Sequence, residues 1–248
     1  MHMIILTALG VGGATVIGAL IGFLIGKVPQ KFNDGILGFA AGVMLAASFV
    51  GLIQPAVELG NIWITVLGVF CGAIFLNLMD QFTPHLHHLA GVDQEIHRNN
   101  AALQKVLLFV IAIALHNLPE GIAAGVGFGS GNDAQALTIA AGIALQNIPE
   151  GMVIIGPLLA SGVSKSRTFL IALTTGLIEV LGAFLGYFAV NIFSAMLPFA
   201  LAFAGGTMLY VISDEMIPET HTHGYERLAT YSLLAGLAVM LVMDFYLG

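Results

Sequence analysis

The chain has 248 residues, 58% of them apolar and only 8% charged, against roughly 45–50% and about 25% in soluble domains, so its surface cannot face water throughout. A formal charge of −7 with only seven Lys and Arg excludes the basic surface that nucleic-acid binding needs. The single cysteine, Cys71, excludes an internal disulfide.

A helix needs about 20 apolar residues to cross roughly 30 Å of hydrocarbon. Eight such stretches follow one another: Met3–Gly26, Gly35–Val57, Ile62–Phe82, Leu103–Gly125, Ala134–Leu159, Thr168–Val190, Leu197–Ile217 and Leu228–Leu247. The predicted fold class is an all-α membrane protein, with residues 1–248 forming a single transmembrane domain. The first stretch does not read as a signal peptide, because no Lys or Arg precedes it and no small-residue cleavage site follows. A His-bearing segment, residues 83–102, is expected as a loop between the third and fourth spans.

The cations orient the bundle, since Lys and Arg are retained on the cytoplasmic side. Lys27 and Lys31 fall between spans one and two, Arg98 and Lys105 between three and four, Lys165 and Arg167 between five and six, and Arg227 between seven and eight. All lie on one side, which predicts an even number of spans with both termini outside the cytoplasm.

Two repeats run through the chain. A shift of 30 residues lays ALHNLPEG (Ala114–Gly121) on ALQNIPEG (Ala144–Gly151) with six of eight positions identical. A shift of 164 lays span one on span six, matching Ala8, Leu9, Gly12, Val16, Gly18, Ala19 and Gly22, and carries FAAGVML (Phe39–Leu45) onto FAGGTML (Phe203–Leu209). Each shift pairs oppositely directed helices, so the predicted arrangement is a 3+2+3 inverted repeat with its axis in the membrane plane between spans four and five. The Gly18/Gly22 and Gly182/Gly186 spacings suit close helix crossing. The longer repeat breaks at Glu179, which aligns with Thr15.

Glu120, Glu150 and Glu179 sit within spans, where each such charge costs about 2.5–3.5 kcal/mol even on the lenient insertion scale. No Lys or Arg lies in the central part of any span, which leaves protons or bound metal cations to neutralise them. On span four, His116, Asn117 and Glu120 share one helix face, and Gln146, Asn147 and Glu150 repeat the set on span five. Pro119 and Pro149 each remove a backbone donor, so kinks and freed carbonyls are expected beside the carboxylates. Mixed carboxylate, imidazole and amide donors suit zinc, iron, cobalt or manganese, with cadmium as a mimic, and the pseudo-two-fold suits two metals bridged by Glu120 and Glu150. The competing reading is a satisfied polar knot gluing the helices together.

The paired motifs resemble the fourth- and fifth-helix signatures of the ZIP (Zrt/Irt-like protein) family of divalent metal transporters, most closely its bacterial GufA-like branch. The resemblance covers essentially the whole chain. It implies zinc movement into the cytoplasm across a bacterial inner membrane, with divalent metal as the bound substrate and no catalytic cofactor. It makes His116, Glu120, Gln146 and Glu150 ligands of a first metal, with Met44 a soft contributor, and Asn117, Asn147, Glu120, Glu150 and Glu179 holders of a second. Amides at Gln146, where many relatives carry His, and at Asn147, where some carry Asp, weaken the expected binding. The resemblance also implies an elevator-like motion of helices 1, 4, 5 and 6 against 2, 3, 7 and 8.

Towards the cytoplasmic ends, His85, His87, His88 and His97 follow span three, and Asp214, Glu215, Glu219, His221 and His223 close span seven. They read either as an exit site for metal or as solvated interfacial residues. Glu58 and Asp244, at the outer ends, are candidates for an entrance. Membrane lipid is the other expected partner, and a homodimer is compatible with the pattern. Two other functions compete. A proton-linked carrier would use the glutamates as relays. An intramembrane metalloprotease would need H-E-x-x-H, whereas Asn117 follows His116 and Glu120 stands where the second His belongs.

Overall fold

Backbone amides in hydrocarbon have no water to bond, so spanning segments close their hydrogen bonds internally. The computed structural model describes residues 2–26, 28–89, 116–128, 132–160 and 162–247, and every long element among them is helical. In chain order these are α1 (His2–Ile25), α2 (Gln30–Leu59), α3 (Ile62–Leu89), α4 (116–127), α5 (Asp133–Ala160), α6 (Lys165–Ile192), α7 (Leu197–Thr220) and α8 (Glu226–Leu247). Seven of the described helices are long and apolar enough to cross a membrane. The fourth predicted span lies largely outside the described residues.

Local chemistry sets the ends. Asn61 Oδ1 accepts from the backbone N–H of Trp63 and Ile64, both at 3.0 Å, starting α3, and Ser164 caps α6. Gly26 (φ 73°) and Gly162 (φ 86°) follow α1 and α5 in the left-handed conformation. α2 begins at Gln30 behind Pro29, five residues before the apolar run, because the polar first turn still completes a helix. α3 continues to Leu89, beyond the predicted boundary at Phe82. The first part of the expected loop is therefore helical; residues 90–102 lie outside the described residues, His97 among them.

Both repeats are written in the packing. A side chain at Gly12 would strike the carbonyl of Gly176, and one at Gly176 the carbonyl of Gly12; the two positions are 164 apart. Gly151 closes on the Thr15 carbonyl, and Gly121 on the Glu179 carbonyl. Gly18 closes on Ile148, and Gly182 on Leu118. Gly42 closes on Leu233, and Gly206 on Val69. Every pair maps onto its partner by the shifts of 30 and 164 residues, so the inverted repeat is a symmetry of contacts as well as of letters. α1–α5 answers to α6–α4, and α2–α8 answers to α7–α3.

Two π-helical stretches, Ala47–Ile53 in α2 and Ile212–Met216 in α7, fall at corresponding places in the two halves. Such bulges widen a helix locally and recur at functional sites. α5 runs unbroken through Pro149 and Pro157. Between the halves lies an apolar core that includes the repeat-related Met44 and Met208 with Ile139 and Ile143.

Candidate metal centre

Glu179 is completely buried on α6 and stands at the pseudo-two-fold. Its Oε1 accepts from Thr15 Oγ1 at 2.6 Å and from Asn117 Nδ2 at 2.5 Å, and its Oε2 accepts from Asn147 Nδ2 at 2.5 Å. Thr15 is the position that aligns with Glu179, and Asn117 and Asn147 align with each other. One carboxylate therefore gathers donors from α1, α4 and α5. Across the same axis Gln146 Nε2 donates to Glu120 Oε1 at 2.8 Å.

These bonds fix the amide orientations, because only an NH2 group can face a carboxylate. Each amide oxygen is thereby turned elsewhere. Asn117 Oδ1, Asn147 Oδ1, Gln146 Oε1 and Glu120 Oε2 are all buried, and no donor among the described residues reaches them. A buried polar atom without a partner normally costs about 1–3 kcal/mol, and here four occur on two short motifs. All are oxygen acceptors, so what would satisfy them is a cation or a hydrogen-bond donor from outside the described residues.

The two motifs differ in exposure. Glu120 is buried, whereas Glu150 lines a cavity of about 380 Å³ together with His116, Asp214, Glu215 and Glu219. Asn33 and Thr222 are also in its wall, close in sequence to Lys31 and Arg227 in the first turns of α2 and α8, so the cavity lies at the cation-bearing end. His116 Nε2 lies 2.8 Å from Glu215 Oε1, linking α4 to the π-helical turn of α7. The pseudo-symmetric counterpart of His116, Gln146, instead turns across the axis to Glu120 of the other motif.

Other expected residues are placed separately. Met44 is buried in the apolar core, and its carbonyl accepts from Ser48 Oγ at 2.7 Å; no described contact carries it to the glutamates. His223 Nδ1 lies 3.2 Å from Asp34 Oδ1, while His221 bonds the Ile217 carbonyl and Thr230, away from the cavity. Glu58 accepts from Gln54 Nε2 at 3.0 Å near the opposite end, and no described contact joins it to Asp244. His85, His87 and His88 are on the last turns of α3, with side chains outside the described set. Among the described residues no three His, Cys, Asp or Glu side chains form a metal cluster by themselves.

Thr15 and Asp34 are not singled out by sequence as site residues. For Thr15 the signal is present in the repeat, because positions related by an inverted repeat can meet on its axis. Asp34, buried yet joined to Gln30 and His223, has no comparable mark.

A family profile described as ZIP Zinc transporter matches residues 90–244. The chain is 41% identical to the zinc transporter GufA of Myxococcus xanthus, covering 96% of each chain. It is 38% identical to the zinc transporter ZIPB of Bordetella bronchiseptica, covering 95% of this chain and 78% of that one. It is 31% identical to the human zinc transporter ZIP11, covering 95% and 94%.

Proposed function

The chain belongs to the ZIP zinc transporter family, and on that premise we propose that it carries zinc, with iron, manganese, cobalt and cadmium as further cargo, across the membrane through a site on α4 and α5. Membership in a family of transporters sets aside the metalloprotease. The observation that carries the site is the set of buried, donorless oxygens on Asn117, Glu120, Gln146 and Asn147.

In this reading His116, Glu120, Gln146 and Glu150 hold one ion. Glu120 and Glu150 bridge to a second, completed by Asn117, Asn147 and Glu179, and Met44 supplies a soft donor. Glu179 anchors the amides so that their oxygens face the cargo. Release runs through the cavity, where Asp214, Glu215 and Glu219 present carboxylates beyond Glu150, and the orientation of the cations makes that side the cytoplasm. Glu215 is the first carboxylate on this route, because it already reaches His116.

Movement follows from where glycines meet backbone. Within α1, α4, α5 and α6, and separately within α2, α3, α7 and α8, glycines abut carbonyls of neighbouring helices. Between these groups the glycine contacts are with flexible side chains: Gly51 with Ile139, and Gly142 with the sulfur of Met240. Two backbone-locked blocks with a side-chain interface favour sliding of one block on the other, an elevator-like transit.

The test is reconstitution in liposomes, with zinc, cadmium, iron and manganese influx measured for the wild type, Glu120→Ala and Glu150→Ala. Flux of every metal is expected to fall at least about tenfold in both variants. Metal flux equal to wild type in both would refute the assigned site, and proton flux without metal flux would favour the proton-linked carrier.

A further inference from the structure

A second groove, of about 500 Å³, lies outside the metal centre. It is lined by Lys31, Phe32, Gly35, Ile36 and Phe39 of α2, Pro149 of α5, and Leu228 and Ser232 of α8. Lys31 is exposed and makes no ion pair among the described residues. The nearest acid on its helix, Asp34, is buried and engaged by Gln30 Nε2 at 2.8 Å and His223 Nδ1 at 3.2 Å. From Lys31 to Phe39 the helix rises about 12 Å, so a cation at the polar boundary is followed by an apolar slot reaching into one leaflet. Apart from the Ser232 hydroxyl its described lining beyond Lys31 is apolar side chains and Gly35.

We propose that this groove seats an anionic phospholipid, its phosphate on Lys31 and one acyl chain along Ile36, Phe39 and Leu228 down to Pro149. Charge complementarity selects the headgroup: the unpaired ammonium favours a lipid with net negative charge over a zwitterionic one. The apolar wall selects a membrane-borne ligand over a free phosphate. Because Pro149 adjoins Glu150, the chain end touches α5 while its head rests on α2, so one lipid contacts both helix blocks. The binding itself does not depend on the chain being a zinc carrier.

The full-length protein in micelles, offered equal phosphatidylglycerol and phosphatidylcholine, is to be analysed by native mass spectrometry. Wild type is expected to retain phosphatidylglycerol about fivefold over phosphatidylcholine, the preference one basic residue confers at a membrane surface. Lys31→Gln should abolish the preference and Lys31→Arg preserve it. Ser232→Phe, which fills the groove from α8, should lower retention of both lipids, with circular dichroism unchanged. Undiminished preference in Lys31→Gln, or wild-type retention in a folded Ser232→Phe protein, would overturn the proposal.

Discussion

At position 179 one carboxylate meets a hydroxyl from position 15, its equivalent in the other half. Had the repeat been kept perfect, two carboxylates would face each other at hydrogen-bonding distance in a low-dielectric interior, and like charges there repel strongly. The Thr–Glu pair turns that repulsion into a charge-assisted bond, which explains why the longer repeat fails at this position. Thr15→Val keeps the volume and removes the donor; it should destabilise the zinc-free protein by about 1.5–3 kcal/mol in chemical unfolding. Glu179→Gln keeps the shape but removes the charge that orients Asn117 and Asn147. Zinc affinity by calorimetry is expected to drop about 10- to 100-fold, and an unchanged affinity would count against the anchoring role.

At the level of helices, the glycines divide into those that carry a crossing and those that do not. On α1, Gly12 abuts the backbone of α6, whereas Gly10 and Gly13 have nothing within 4 Å where a side chain would begin. Gly12→Leu must push α1 and α6 apart one turn from the Thr15–Glu179 bond. It should cost about 1–3 kcal/mol or more of stability and weaken zinc binding. Gly10→Leu, two residues away and in open space, should leave thermal stability and zinc binding at wild-type levels, which makes it the internal control. The spacing of Gly18 and Gly22 already reads as a helix crossing in the sequence. Which glycine meets which carbonyl does not, because crossing angles and partners depend on how whole helices dock.

For the whole molecule, the cavity makes the two pseudo-equivalent motifs inequivalent: Glu150 is open to it and Glu120 is closed off. In the proposed elevator-like transit, an inverted repeat with one side open would have a partner state with the roles of the halves exchanged. The proposed donor set also dictates a pH response. Zinc binds neutral imidazole and ionised carboxylate, so protons compete for the same lone pairs. Acidifying the loading side from about pH 7.5 to about pH 5.5, the range in which histidine titrates, should reduce initial zinc uptake into liposomes. Uptake that climbs steadily with acidity would point to proton-driven entry instead.

Much of this was legible from the letters. Apolar run lengths specify helices because hydrocarbon permits little else, the two shifts specify the inverted repeat, and His116, Glu120, Gln146 and Glu150 announce themselves as polar groups stranded in apolar spans. Distances along the chain cannot say which polar groups meet. That Glu179 binds Thr15, Asn117 and Asn147, that His116 turns to Glu215 rather than staying within its own motif, and that the groove behind Pro149 begins at Lys31 were decided by tertiary packing. The reason is physical: periodicity fixes the face a side chain occupies, whereas hydrogen bonds are made between faces of different helices, and their docking depends on every glycine contact at once.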